Sequence, residues 1–350
     1  MKGAQAPFFF YLWGMKVLGI ESSCDETAAA VVENGRVLSS VVSSQALHWK
    51  YGGIVPELAA REQLKAIRPV VKVALAEAGV ELSAIDGIAV TSGPGLVGSL
   101  AVGVAFAKSL ALSTGKPLVG VNHLEGHLFS VFIEQPDLPL PAVVLIASGG
   151  HTVLLSVAEK GEARLLGQTV DDAAGEAFDK GARLLGLPYP GGPSIQKAAE
   201  GGDPKAVDFP RPMLKADNFE FSFAGLKTAL AVYLQKNPEA VKERANGLAA
   251  AFQEAIAETL AEKTLSATER TGAKSAAVAG GVAANRRLRE LIELRAKKTG
   301  LGVHFPGFQF CTDNAAMIAC AGEFYLKRGK AADLSLEALP NLPLTSFAAA

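Results

Sequence analysis

The chain has 350 residues, 49% of them hydrophobic and 20% charged, with a formal net charge of -1. At about 150 residues per domain the length fits two domains or lobes, and the composition provides sizeable apolar cores and excludes wholesale disorder. Near-zero net charge excludes a global field drawing the protein to nucleic acid or anionic membrane, so any contact with RNA must come from a local basic patch or an accessory partner. Three cysteines, Cys24, Cys311 and Cys320, lack CxxC spacing, which argues against a disulfide framework or a thiolate zinc site and for a reducing, cytoplasmic location.

Residues 1–14 contain a short apolar run, Phe8 to Trp13, far too brief to span a bilayer. A strand pattern, Lys16-Val17-Leu18-Gly19-Ile20, follows at once, so no signal peptide is expected. The stretch reads as a disordered extension or as a start placed upstream of the true one at Met15. Three strands are predicted next, over 17–21, 27–32 and 37–43, with turn signals at residues 22–25 and at Asn34-Gly35. A helix is predicted over Pro56–Ala78, with Pro56 in its first turn. Strand 87–91, a Gly-rich turn, helix 98–114 and strand 117–121 then form a βαβ unit, which makes part of the sheet parallel.

A short helix starts near His123 and ends before the proline-rich residues 136–141. After it the opening pattern returns: strand 143–147, a polar Gly turn at 148–151, strand 152–158, a turn at Lys160-Gly161 and strand 163–170. Such an internal repeat points to two related lobes, with small ligands expected in a cleft between them. Beyond residue 172 the pattern is mainly helical (174–185, 194–200, 224–235, 239–270). Strand Ser275–Ala279 leads through Gly280-Gly281 into a helix over 283–297 that holds Asn285 in its first turns. Strand 303–305 and helix 314–327 follow, and the tail after Gly329 is weakly patterned.

The segment Asn122-His-Leu-Glu-Gly-His127 sets two imidazoles four residues apart on one helix face, where they can share a metal or simply lie at a helix start. A zinc-protease helix needs Glu directly after the first His. Glu125 sits two residues on and faces away, so proteolysis is disfavoured. A third ligand must come from elsewhere; Cys311-Thr-Asp-Asn314 offers Asp313 where a helix begins, a position that equally suits an N-cap. The turn Ser148-Gly-Gly-His-Thr152 is either an ordinary hairpin or a set of N–H groups facing an anion. Gly93-Pro-Gly-Leu-Val-Gly98 matches GxGxxG, but Asn122-His123 stands where a dinucleotide site wants an acidic residue, so these glycines are read as close-packing positions. Cys24 lacks a neighbouring base and is expected to be structural. The helix from Arg286 to Lys298, basic but interspersed with Glu290 and Glu293, reads as a solvated face with at most a minor part in docking nucleic-acid phosphates.

Taken in order, Gly19-Ile-Glu-Ser-Ser-Cys-Asp-Glu-Thr27, Ser92-Gly-Pro-Gly-Leu-Val-Gly-Ser99, Asn122-His-Leu-Glu-Gly-His127, Ser148-Gly-Gly-His-Thr152, Asp171-Asp-Ala-Ala-Gly-Glu-Ala-Phe-Asp179, Tyr189-Pro-Gly-Gly192, Phe221-Ser-Phe-Ala-Gly-Leu-Lys227, Gly280-Gly-Val-Ala-Ala-Asn285 and Cys311-Thr-Asp-Asn314 resemble the TsaD family of bacterial tRNA N6-adenosine threonylcarbamoyltransferases, formerly labelled O-sialoglycoprotein endopeptidases. The resemblance runs from about Met15 to about Gly329. It implies the actin, Hsp70 and sugar-kinase fold, two related α/β lobes around a nucleotide cleft. The expected division is an extension at 1–14, an N-terminal lobe at 15–141, a C-terminal lobe with a helical insertion at 142–330 and a tail at 331–350.

The resemblance further implies one divalent metal per chain, Fe(2+) or alternatively Zn(2+), held by His123, His127 and Asp313. It implies a pocket for threonylcarbamoyl-AMP at Ile146, Ala147, Ser148, Gly149, Gly150, Asp179, Gly192 and Asn285, with Asp25 and His151 as neighbours. The implied reaction carries the threonylcarbamoyl group to N6 of adenosine 37 in tRNAs reading codons that begin with A, releasing AMP, with backbone N–H groups of residues 148–150 offsetting negative charge. No general base is assigned. Implied partners are tRNA, a TsaB-like paralogue and a TsaE-like ATPase, and no membrane. A sugar or carboxylate kinase, a metallopeptidase and a non-catalytic scaffold subunit are the rival readings.

Overall fold

The computed structural model describes residues 14–344, so the apolar run at 8–13, nearly all of the expected extension and the last six residues of the tail, 345–350, lie outside the described residues. Two compact units are formed, one from the chain through Gln45, Pro56–Phe129 and Asn314–Pro343, the other from Ala46–Val55 and Ser130–Asp313. In chain order the elements are β1 (Lys16–Glu21), β2 (Glu26–Glu33), β3 (Arg36–Ser44), α1 (Pro56–Ala78), β4 (Gly87–Gly93), α2 (Val97–Thr114), β5 (Leu118–Asn122), α3 (His123–Glu134), β6 (Ala142–Ala147), β7 (Thr152–Glu159) and β8 (Glu162–Gln168). They continue with α4 (Ala174–Leu184), α5 (Gly191–Ala198), α6 (Ala224–Lys236), α7 (Ala240–Thr271), β9 (Ser275–Ala279), α8 (Arg286–Thr299), β10 (Gly302–His304), α9 (Phe308–Cys311) and α10 (Ala315–Leu326).

Each unit has a five-stranded mixed sheet, ordered β3-β2-β1-β4-β5 in the first and β10-β9-β6-β7-β8 in the second. In both, an antiparallel meander opens the sheet and its first strand is then joined in parallel by a strand that arrives after helices. The repeat in the sequence is thus a repeat of topology. Asn34 and Gly35, both at positive φ (51° and 75°), close the β2–β3 hairpin with the twist that Asn-Gly turns supply. The first core gathers Leu18, Ile20, Val31, Ile67, Ile88 and Val104. The second is richer in aromatics, with Phe178, Phe221, Phe223 and Phe252 all buried.

Helix α2 is largely apolar and, alone among the described residues, is long and apolar enough to cross a membrane. One stripe of it is buried, and of that stripe Val104, Ala107 and Ala111 belong to the first core. A core helix passes the same length test, so the helix gives little reason to infer a span.

Helix α10 lies on β1 and β4, in the first unit, although a single division at 141/142 assigns it to the C-terminal lobe. Two glycines let it approach so closely. A methyl at Gly19 would lie 2.7 Å from Ala319 N and closer to Ala315 O, and one at Gly322 would meet the Ala89 side chain. The tail is also ordered as far as it is described. Ala332 bridges to Leu118, Leu339 N donates to Ser92 O (2.7 Å), and Pro340 O accepts from Gly95 N (3.0 Å).

Candidate active site

Strands β1, β4 and β5 run parallel, so their carboxyl ends share one edge of the first sheet. Open α/β sheets bind ligands beyond such an edge. Glu21 ends β1, Thr91 lies near the end of β4, and β5 runs directly into His123. Asn122 Oδ1 accepts the Leu124 N–H (2.9 Å) and so fixes the start of α3. One turn on, His127 brings its ring to a centroid distance of 4.7 Å from His123, the planes 80° apart. His123 is 5% exposed and His127 is fully buried.

Asp313 directly precedes the cap of α10. That capping is done by Asn314, whose side chain accepts from Met317 N (3.0 Å), so the N-cap alternative for Asp313 falls away. One ligand atom each from His123, His127 and Asp313 lie within 4.8 Å of one another. Atoms sharing an ion at about 2.1 Å stand ~3–4 Å apart, so the set closes on a metal with movements of about 1 Å or less. Two imidazoles and one carboxylate are donors suited to Zn(2+) or, as a facial set with open positions, to Fe(2+).

Glu125 plays another part. Its Oε2 accepts from the Tyr325 hydroxyl (2.9 Å), and burial pushes its carboxyl up to about 7, against the opposing pull of that bond. Engaged with α10, it is not the water-activating Glu of a zinc peptidase helix.

In the second unit, β6 and β9 are parallel, with Ile146 paired to Ala279, so the turns that follow them share an edge. Ile146 and Ala147 are buried strand residues, and Ser148 is 7% exposed. Ser148 N donates to His151 O (2.8 Å), and Ser148 Oγ accepts from His151 N (3.3 Å). This corrects the expectation that residues 148–150 all aim N–H groups at a ligand: the Ser148 N–H closes the turn, and the exposed Gly149 and Gly150 are left to face outward. Ser148 O in turn accepts from Gly175 N (3.1 Å), seating the first turn of α4.

Asp179 Oδ1 accepts from Gly191 N (2.7 Å), which holds the start of α5 and with it Gly192, where an added methyl would meet nothing within 4 Å. Gly280 has φ +86°, and a methyl there would strike the Ala147 backbone (2.7 Å from its carbonyl carbon), so only glycine lets the turn after β9 lie against β6. Asn285 is not inside a helix. A 3-10 turn over Gly281–Ala284 precedes it, and it caps α8 by accepting from Leu288 N (3.0 Å). Its amide nitrogen donates to Gln253 Oε1 (2.8 Å), so both ends of the side chain serve the fold. Arg286 N donates to Gln196 Oε1 (2.8 Å), bringing α5 and the start of α8 together.

Several residues escaped the sequence reading. Asp171 accepts from Ser222 Oγ (2.5 Å) and from the N–H groups of Phe223 and Ala224, so the DDAAGEAFD and FSFAG motifs meet at the start of α6. The basic face of α8 is divided: Arg286, Lys297 and Lys298 are exposed, while Arg287, Arg289 and Arg295 are half-buried. Arg287 grips Glu254 with two bonds (2.6 and 2.9 Å). Arg289 lies over Phe305 and Phe308 (4.7 and 4.5 Å) and donates to Ala283 O (2.6 Å) and Pro306 O (3.0 Å). Burial pushes the neighbouring Cys311 thiol up, which suits a structural cysteine.

Two α/β units of like topology, each with parallel strands ending at one sheet edge, have the actin, Hsp70 and sugar-kinase fold. The chain is similar in fold to component A of (R)-2-hydroxyglutaryl-CoA dehydratase from Acidaminococcus fermentans (TM-score 0.52, 14% identity, 90% of this chain and 100% of that one). It is likewise similar to HypF from T. kodakarensis (TM-score 0.60, 16% identity, 91% of this chain and 50% of that one). The family model for TsaD, tRNA N6-adenosine threonylcarbamoyltransferase, matches residues 36–320. Relatives of that name are 54% identical in Geobacter sp. (strain M21), over 95% of this chain and 98% of theirs, and 53% identical in Moorella thermoacetica, over 94% and 97%. The chain belongs to the tRNA N6-adenosine threonylcarbamoyltransferase family.

Proposed function

We propose that this chain transfers the threonylcarbamoyl group of threonylcarbamoyl-AMP to N6 of adenosine 37 in tRNAs reading codons that begin with A. The observation that carries the reading is the family match over most of the chain, joined to a His-His-Asp set within 4.8 Å, its histidines buried and its aspartate half-buried. In the step, the N6 amine attacks the carbamoyl carbon, the carbon–oxygen bond to phosphate breaks, AMP leaves, and N6 gives up a proton. Gly149 and Gly150 offer backbone N–H groups to the phosphate, and the turn is held in shape by Ser148, His151 and α4. Asp179 and Gly192 shape the start of α5, and Asn285 shapes the turn after β9. A divalent ion on His123, His127 and Asp313, Fe(2+) in the first instance and Zn(2+) otherwise, would supply Lewis acidity and a template.

A near-neutral surface favours help in gripping tRNA. Helices α1 and α2 line a groove of about 370 Å³ with Leu64, Ile67, Ala101 and Phe106, Leu64 being 70% exposed, and α2 also exposes Val97 (62%) and Leu112 (71%). Such an apolar face suits a subunit partner, and we assign it to a TsaB-like paralogue, with a TsaE-like ATPase completing a cytoplasmic assembly.

The test is reconstitution with those partners, the adenylate and unmodified tRNA, reading threonylcarbamoyl-adenosine by mass spectrometry. Product from wild type and none from folded His127→Ala supports both the reaction and the metal reading. Product from both keeps the transferase and makes the metal structural. No product from either, with partners shown active, sinks the assignment and returns a kinase reading to the front.

A further inference from the structure

His123 is held on its Nδ1 side. That nitrogen lies 3.1 Å from Glu21 Oε2 and 3.2 Å from Ser23 Oγ. Glu21 is fully buried at the end of β1. Its carboxylate also accepts from Thr91 Oγ1 (2.6 Å) and from Ser23 N (2.5 Å), so two neighbours fix its orientation. A buried carboxylate persists only where such donors surround it. With Glu21 Oε2 as the acceptor of this contact, the imidazole would carry its proton on Nδ1. The lone pair of the neutral ring then sits on Nε2, the only ring nitrogen able to take an ion.

We infer that Glu21, aimed by Thr91 and the Ser23 backbone, is a positioning residue that fixes the tautomer and plane of His123 and so presents Nε2 to a divalent cation. The inference rests on the metal reading above for His123, His127 and Asp313. Carboxylates behind ligating histidines raise ligand basicity, and their loss typically weakens metal binding about 10–100-fold. A purely architectural Glu21, closing the turn at residues 22–25, would instead affect melting and leave the folded protein's affinity for metal unchanged.

The experiment adds Co(2+) alone to metal-free wild type, Glu21→Gln, Thr91→Val and His127→Ala. Affinity is read by competition with a chromophoric chelator, the visible Co(2+) band reports ligand geometry, and melting reports the fold. Wild type is expected to bind, His127→Ala to lose the band, and Glu21→Gln to bind about 10–100-fold more weakly with an altered band. Thr91→Val is expected to weaken binding by a smaller factor while remaining folded. Folded Glu21→Gln and Thr91→Val with wild-type affinity and band would overturn the role of Glu21 while leaving the metal reading in place. If Glu21→Gln fails to fold, Thr91→Val decides alone, and an unchanged affinity there overturns the inference. Absence of binding by wild type, or a band that survives His127→Ala, overturns the metal reading itself and this inference with it.

Discussion

Gly19→Ala tests how the first unit seats the helix that follows Asp313. The added methyl would stand 2.7 Å from Ala319 N and 2.8 Å from Ala319 Cβ, and closer still to Ala315 O. Comfortable carbon contacts begin near ~3.5 Å, so α10 must retreat by about 1 Å. The obstructing atoms are mostly backbone and cannot swing aside. Overpacking of this kind costs ~1–3 kcal/mol, against which a less flexible unfolded chain returns only ~0.4–1 kcal/mol. A net loss of about 1–2 kcal/mol lowers the melting temperature by ~2–8 °C for units of this size. The same retreat shifts the chain at Asn314, one bond from Asp313, and metal sites tolerate only about 0.2 Å in ligand distance. Weaker Co(2+) binding is therefore expected alongside lower stability, read by circular dichroism melts and chelator competition. A variant that melts within ~1 °C of wild type and binds Co(2+) equally would refute the close seating of α10.

Gly149→Ala should behave in the opposite way, because nothing lies within 4 Å of the added methyl: melting stays within ~1 °C, while the KM for the adenylate rises in the reconstituted assay. An unchanged KM would remove this turn from the substrate pocket. For Glu125, burial lifts the folded carboxyl from 4.5 to about 7. Its contribution to stability is thus full below about pH 4.5 and is lost as pH rises through 7, a difference of at most ~3 kcal/mol. Urea unfolding of metal-free protein at pH 5 and pH 8 should show this slope in wild type and a flatter one in Glu125→Gln; equal slopes would assign the pH dependence elsewhere.

The fold was legible because its signals are local and repeated. Short apolar runs, Asn34-Gly35 and the two polar first turns declare each meander without reference to anything distant. Helix boundaries slipped where a cap decides them: Asn285, read as helical, is the extended residue whose side chain starts α8. The unit to which α10 belongs was illegible for a different reason, since Gly19 and Gly322 carry no hydrophobic signal and act only through the space they leave.

The candidate site divides along the same line. Two histidines at i and i+4 can be read from spacing, because a helix alone puts them together. Glu21 and Thr91 lie 70 residues apart, and His123 is a further 32 along the chain. They meet only because three parallel strands end at one edge, which no pattern within a strand announces. Arg289 shows the reverse error. In a basic run it reads as solvated, yet it packs between two aromatic rings and ties the turn after β9 to the segment leading to Asp313. Charge on a helix face therefore says little about solvent until its partners are known. In this chain local caps such as Asn122 and Asn314 set the helix starts of the site, while Glu21 reaches His123 and Thr91 only across the sheet.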